Sequence, residues 1–99
     1  MITLYAIAAY IVFDSSECHS LKEKRRVIKS LIDKAKNHFQ NIAFAEVGDA
    51  NQIQQFTIGL SLLANSKILV ENMFSKATQY LEENAFRNVL KSHAEIFAL

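Results

Sequence analysis

The densest set of chemically capable side chains lies between Lys22 and Lys36. Seven of the eleven Lys and Arg residues fall there, with only Glu23 and Asp33 as acids. That window carries +5 and the rest of the chain −4, a division hidden in the net charge of +1. Electrostatic fields act locally, so the window matters more than the total. At 100° per residue, Lys22, Arg25, Arg26, Lys29 and Lys36 fall within about a third of a helix circumference. A cationic face of this kind suits phosphate or another polyanion. A plain solvated helix face is the bland alternative. Two details favour binding. Lys22, Lys24, Arg25 and Arg26 crowd the first two turns, where the helix dipole disfavours positive charge by on the order of a few tenths of a kcal/mol each. The acids are also too few to neutralise the stripe through i, i+4 pairs. Lys24 projects near the apolar stripe and is expected to snorkel past Leu21 and Ile28.

Other reactive side chains do not assemble into a recognisable constellation. Cys18 and His19 are adjacent, but neighbours in sequence often point apart, so the pair implies no nucleophile geometry. One cysteine and three scattered histidines lack the paired spacings of a structural zinc site. No P-loop, Gly-rich dinucleotide turn or HExxH is present. We therefore expect a non-catalytic binding protein with no cofactor and no metal. A lone cysteine permits no internal disulfide and suits a reducing, cytoplasmic setting. Met1 to Phe13 is apolar but too short to span a bilayer and lacks a charged leader region, so no membrane association is expected.

The elements that would carry the basic stripe read as follows. Ile2 to Phe13 is a long β-rich run with two apolar faces, the mark of a central strand. Ile2, Leu4, Ala6, Ala8, Tyr10 and Val12 lie on one face, and Thr3, Tyr5, Ile7, Ala9, Ile11 and Phe13 on the other. Asp14 to His19 is loop. Ser20-Leu21-Lys22-Glu23 is a capping box opening a helix with Leu21, Val27, Ile28, Leu31, Ile32 and Ala35 on its buried side; it ends near Asn37 to Phe39. Ile42 to Val47 and Ile53 to Leu63 are strands joined as a hairpin through Gly48-Asp49-Ala50-Asn51. Asn65 or Ser66 caps a second helix reaching about Asn84, and Asn88 to Ala98 alternates as a last strand. The order is βαββαβ. With 51% apolar and 21% charged residues, no proline and two glycines, residues 1–99 read as one globular domain. The fold class expected is α+β: a ferredoxin-like sandwich, with a four-stranded antiparallel sheet and two helices on one face. The same topology hosts acylphosphatases, whose arginine loop after the first strand has no counterpart in Asp14 to His19, and fold alone carries no function.

Both helices on one sheet face leave the other open, and either side of the first strand is apolar. If the helices take the even-numbered set, the open row is Tyr5, Ile7, Ala9 and Ile11; the pattern does not choose between the sets. A homodimer or higher oligomer through that row is expected, because apolar patches of this size usually meet a partner.

The stretch His19-Ser20-Leu21-Lys22-Glu23-Lys24-Arg25-Arg26-Val27-Ile28-Lys29-Ser30-Leu31 resembles the signature of the YlxP-like family, small bacterial proteins long labelled a domain of unknown function. The resemblance extends to Ala45-Glu46-Val47, Gly59, Ser66 and Tyr80-Leu81-Glu82-Glu83. It implies a ferredoxin-like fold and a bacterial cytosolic setting. Genes of this family often sit beside translation and ribosome-maturation genes, which implies a role linked to RNA or the ribosome. One departure is the tryptophan-glutamine-arginine often entering the third strand of the family, matched here by Ile53-Gln54-Gln55. An RNA-recognition sheet would want a Gly-aromatic-x-aromatic pattern on that strand, and Gln55-Phe56-Thr57-Ile58-Gly59 lacks it. The expected function is thus association with RNA or a ribosomal particle through Lys22, Arg25, Arg26, Lys29 and Lys36. The alternative is an oligomeric protein-interaction module.

Overall fold

In the computed structural model, residues 2–49 and 51–99 are described; Ala50, in the expected turn, lies outside them. The first strand, β1 (Tyr5–Asp14), is central, as its two apolar faces require. It pairs antiparallel with β3 (Gln55–Ala64) on one side and β4 (Val89–Ala98) on the other, and β2 (Ala43–Val47) completes the sheet beside β3. The strand order β2-β3-β1-β4, with two helices between strands, is the ferredoxin-like βαββαβ arrangement. Helix α1 (Leu21–His38) packs on β2, and α2 (Lys67–Ala85) on β3 and β1.

The register settles which face of β1 is buried, and it reverses the expected interface. Ile7 stands opposite Leu62, Ile11 opposite Ile58 and Phe13 opposite Phe56. These large side chains share the helix-covered face, where Ile28, Leu31, Ala35, Val70, Ala77 and Leu81 close over them. Ile7 and Ile11 are 2% and 1% exposed, and Tyr5 and Ala9 pack against the same cluster. Tyr5, Ile7, Ala9 and Ile11 are therefore core and not an oligomer surface. The open face is the even-numbered set, whose neighbours on β2 and β3 are mostly small. Helices bury the side that offers more apolar volume to interdigitate with.

Two further differences are local. Lys24 does not snorkel: it is 1% exposed, and its Nζ donates to the Gln52 carbonyl in the β2–β3 connection. A buried amine needs such a partner. Strand β4 is exposed along its whole length, because neither helix reaches over it. The β1–β4 register also slips at Val12/Phe13, where Lys91 and Val89 are the successive partners and Leu90 is the extra residue of a bulge.

Candidate nucleic-acid interface

The start of α1 is built as its sequence requires. Ser20 Oγ accepts the Glu23 amide at 3.1 Å, and Glu23 Oε2 accepts the His19 amide at 3.0 Å. Two helix-start amides are thus satisfied reciprocally, as in a capping box. The buried residues Lys24, Ile28, Leu31 and Ala35 fix the rotation of the helix about its axis. That rotation turns Lys22, Arg25, Arg26, Lys29 and Lys36 outward, and all five are exposed. Both acids of the window are engaged: Glu23 in the cap, and Asp33 with Lys29 Nζ at 3.0 Å. Among the described residues, Lys22, Arg25, Arg26 and Lys36 form no ion pair. Lys36 lies about 21 Å along the axis from Lys22, at 1.5 Å per residue, so the stripe runs most of the helix.

The structure joins to Arg26 a set of residues that the sequence reading missed: Ser30, Lys34, Asn84, Phe86 and Arg87. Arg26, Ser30 and Lys34, one turn apart, line a groove between α1 and the end of α2, with Asn84, Phe86 and Arg87 on its far wall; its volume is about 300 Å³. Phe86 ends α2 in a left-handed conformation (φ 53°, ψ 35°), and its side chain is 83% exposed. Glycine is the usual residue at such a helix end. A bulky side chain there is strained by roughly 1–2 kcal/mol and recovers little by burial. Arg87 Nη1 donates to the Ala85 carbonyl at 3.1 Å and Nη2 to Cys18 Sγ at 3.7 Å, while its buried Nε has no hydrogen-bond partner among the described residues. The signals in the sequence were the i, i+4, i+8 spacing of Arg26, Ser30 and Lys34 and a phenylalanine where a glycine would end a helix.

Cys18 and His19 part company. Cys18 is buried beneath Arg87, and His19 is exposed. Asp14, which lines a neighbouring depression with Glu17, Phe86 and Arg87, accepts the Ser16 amide at 2.8 Å. That hydrogen bond holds its carboxyl below the usual carboxylate range, and the Ser16 hydroxyl and the Arg87 charge act in the same direction against a smaller desolvation. The segment Ile53-Gln54 is tied to the end of β1, its two carbonyls accepting Ser15 Oγ at 2.8 Å and the Ser15 amide at 2.9 Å.

On the opposite side of the molecule, the open sheet face has a shallow apolar depression of about 270 Å³ whose floor includes Ala8, Ala43, Ala45, Gly59 and Ser61. Tyr10 lies beside it, its ring 5.9 Å from the His93 ring and 5.9 Å from Lys91 Nζ. Gly59 has a reason for its lack of a side chain: a Cβ there would stand 3.1 Å from Val47 Cγ1.

The model of a protein family of unknown function, DUF503, matches residues 7–94. The chain belongs to the DUF503 family. It is similar to the uncharacterised protein YlxP of Bacillus subtilis (strain 168), 26% identical over 78 residues that span 79% of this chain and 80% of that one. Among solved structures it is similar in fold to a mutant of SnoaB, a cofactor-independent oxygenase from Streptomyces nogalater, with a TM-score of 0.50 at 5% identity, covering 93% of this chain and 90% of that one. A dimeric ferredoxin-like protein of unknown function from Thermobifida fusca aligns with a TM-score of 0.48 at 17% identity, over 96% of this chain and 92% of the other. At such identities the likeness is one of fold. No helix of the described residues is long and apolar enough to cross a membrane.

Proposed function

We propose that this protein is a non-catalytic cytosolic binding protein that associates with RNA, in the setting of a ribosomal particle, through the outer face of α1. The observation that carries the reading is the exposed stripe Lys22, Arg25, Arg26 and Lys36, in a stretch of helix whose two acids, Glu23 and Asp33, are committed to the helix cap and to Lys29. Solvated helices usually balance such a stripe with i, i+4 acids. Strands β2 and β3 offer no RNA platform of the stacking kind, because their aromatic residues Phe44 and Phe56 face the helices and are buried. The stripe continues into the groove where Lys34 and Arg87 add positive charge beside the exposed ring of Phe86. Cations beside an exposed aromatic ring match a nucleotide, with phosphate on the cations and a base on the ring.

The direct test is sedimentation of a bacterial lysate at low salt. The wild-type protein is expected to travel with ribosomal particles, and the Arg25→Glu/Arg26→Glu variant to remain at the top of the gradient. Both arginines are exposed, so the variant should keep its fold by circular dichroism. A wild-type protein that stays at the top overturns the reading; so does a folded variant that co-sediments as well as wild type.

A further inference from the structure

The open sheet face is self-complementary under a two-fold rotation, and we infer that a second copy of this chain covers it. The register lays its outward residues in cross-strand rows. The middle row is Ala45, Gly59, Tyr10 and His93. On one side of it lies Val47, Thr57, Val12 and Lys91, and on the other Ala43, Ser61, Ala8 and Glu95. Strand by strand, the first of these flanking rows is larger than the second: valine against alanine on β2, threonine against serine on β3, valine against alanine on β1. On β4 the same comparison is lysine against glutamate.

A two-fold axis running along the middle row, between two stacked sheets, turns each strand antiparallel over its own copy. The bulky row then lies over the partner's small row, twice, and Lys91 lies over the partner's Glu95, also twice. A closed symmetric dimer needs this reciprocity, in which residue i meets j and j meets i. Side chains that alternate in size between facing layers interdigitate at the roughly 10 Å spacing of packed sheets. The footprint is also adequate. Three ten-residue strands and the five-residue β2, at about 4.8 Å between strands and about 3.3 Å per residue, cover roughly 550 Å² per copy, or roughly 1,100 Å² in all, just above the roughly 1,000 Å² that a biological interface should clear. Apart from Asp14 and Gln55 at the end of β1 and β3, the face carries charge only along β4, at its edge, and its centre is mostly apolar or small, as an interface core is.

The arrangement bears on function without depending on RNA binding. Each copy keeps its helices on the side away from the shared face, so the dimer is a four-layer sandwich with α1 outermost on both sides. Two cationic stripes would point in opposite directions, giving a bivalent particle.

The experiment is sedimentation equilibrium across a concentration series, with circular dichroism as the control for folding. Wild type is expected to be dimeric at micromolar concentration. Lys91→Glu sets like charges opposite each other at both ends of β4 and should raise the dimer Kd by at least about tenfold. The reciprocal exchange Lys91→Glu/Glu95→Lys restores opposite charges across the axis and should recover the dimer. Ala45→Lys places two lysines against each other on the axis and should give a folded monomer. A wild-type monomer at high micromolar concentration overturns the inference, as does a single exchange as dimeric as wild type or a double exchange no better than the single.

Discussion

If α1 binds RNA through phosphates, the salt dependence of binding counts the cations it uses. Each phosphate contact on a single strand lowers the logarithm of the binding constant by about 0.7 per decade of salt through counterion release. The four stripe cations Lys22, Arg25, Arg26 and Lys36 are without an acidic partner, and a fifth, Lys29, must leave Asp33 to take part. The slope expected from the helix is therefore about −2.8 to −3.5, a loss of roughly 50- to 130-fold in affinity between 50 and 200 mM salt. Arg25→Glu/Arg26→Glu removes two contacts and should bring the slope to about −1.4 to −2.1, a loss of roughly 7- to 18-fold over the same range. Whatever Lys34 and Arg87 add is common to both proteins, so the sharp quantity is the difference in slope, about 1.4. Fluorescence anisotropy with a labelled ribosomal RNA fragment at four salt concentrations measures it. A wild-type slope near zero, or equal slopes in the two proteins, would refute the assignment of phosphate contacts to α1.

Phe86→Ala should weaken binding of single-stranded RNA by roughly 5- to 150-fold, the worth of one stacked base, while leaving the thermal midpoint about unchanged, since the ring buries little and alanine keeps the Cβ that the left-handed conformation disfavours; a variant that binds as wild type does removes Phe86 from the site. Lys24→Met keeps the buried stem but strands the Gln52 carbonyl, and should cost about 1–3 kcal/mol in urea unfolding; Lys24→Ala, which also opens a cavity, should cost more. Ser20→Ala removes the cap of α1 and should cost about 1 kcal/mol, read by the same unfolding. Asp14 has a folded-state pKa below its ordinary value of 3.8, so its ionised form contributes stability that is present above that value and lost as the pH falls through the lowered one. Asp14→Asn should therefore flatten the acid limb of a stability–pH curve measured below about pH 4, and an unchanged limb would show that the Ser16 hydrogen bond does not favour the ionised carboxylate more in the folded chain than in the unfolded one.

The β1–α1–β2–β3–α2–β4 order, the capping box and the outward cations of α1 were legible from sequence, because each rests on local periodicity or on partners within four residues. The boundaries are less exact at the strand starts: β1 begins at Tyr5, three residues after Ile2, and β3 at Gln55, two after Ile53, whereas α1 ends at His38 as expected and α2 at Ala85, with Ser66 of the two candidate caps in place. Less legible was the first strand. Both of its faces are apolar, so alternation carries no direction, and the choice of Tyr5, Ile7, Ala9 and Ile11 as the open row went the wrong way. Only the pairing of β1 with Leu62, Ile58 and Phe56 on β3 decides which side the helices cover. Gly59, Ser61, Ala43 and Ala45 on the other side then become a floor instead of isolated small residues.

The cationic stripe with its capped start is what the sequence by itself determined, since 3.6-residue periodicity and a four-residue cap need nothing beyond the chain segment that contains them. The tertiary structure decided three things. It buried Lys24, by bringing the Gln52 carbonyl over it from 28 residues away. It joined Arg26 and Lys34 to Phe86 and Arg87 in one groove, across more than fifty residues of chain. And it chose the face of β1 left open, where Lys91 and Glu95 flank His93 beside a patch of small side chains. All three depend on which distant segments pack together, and that is set by the fit of side-chain volumes in the core.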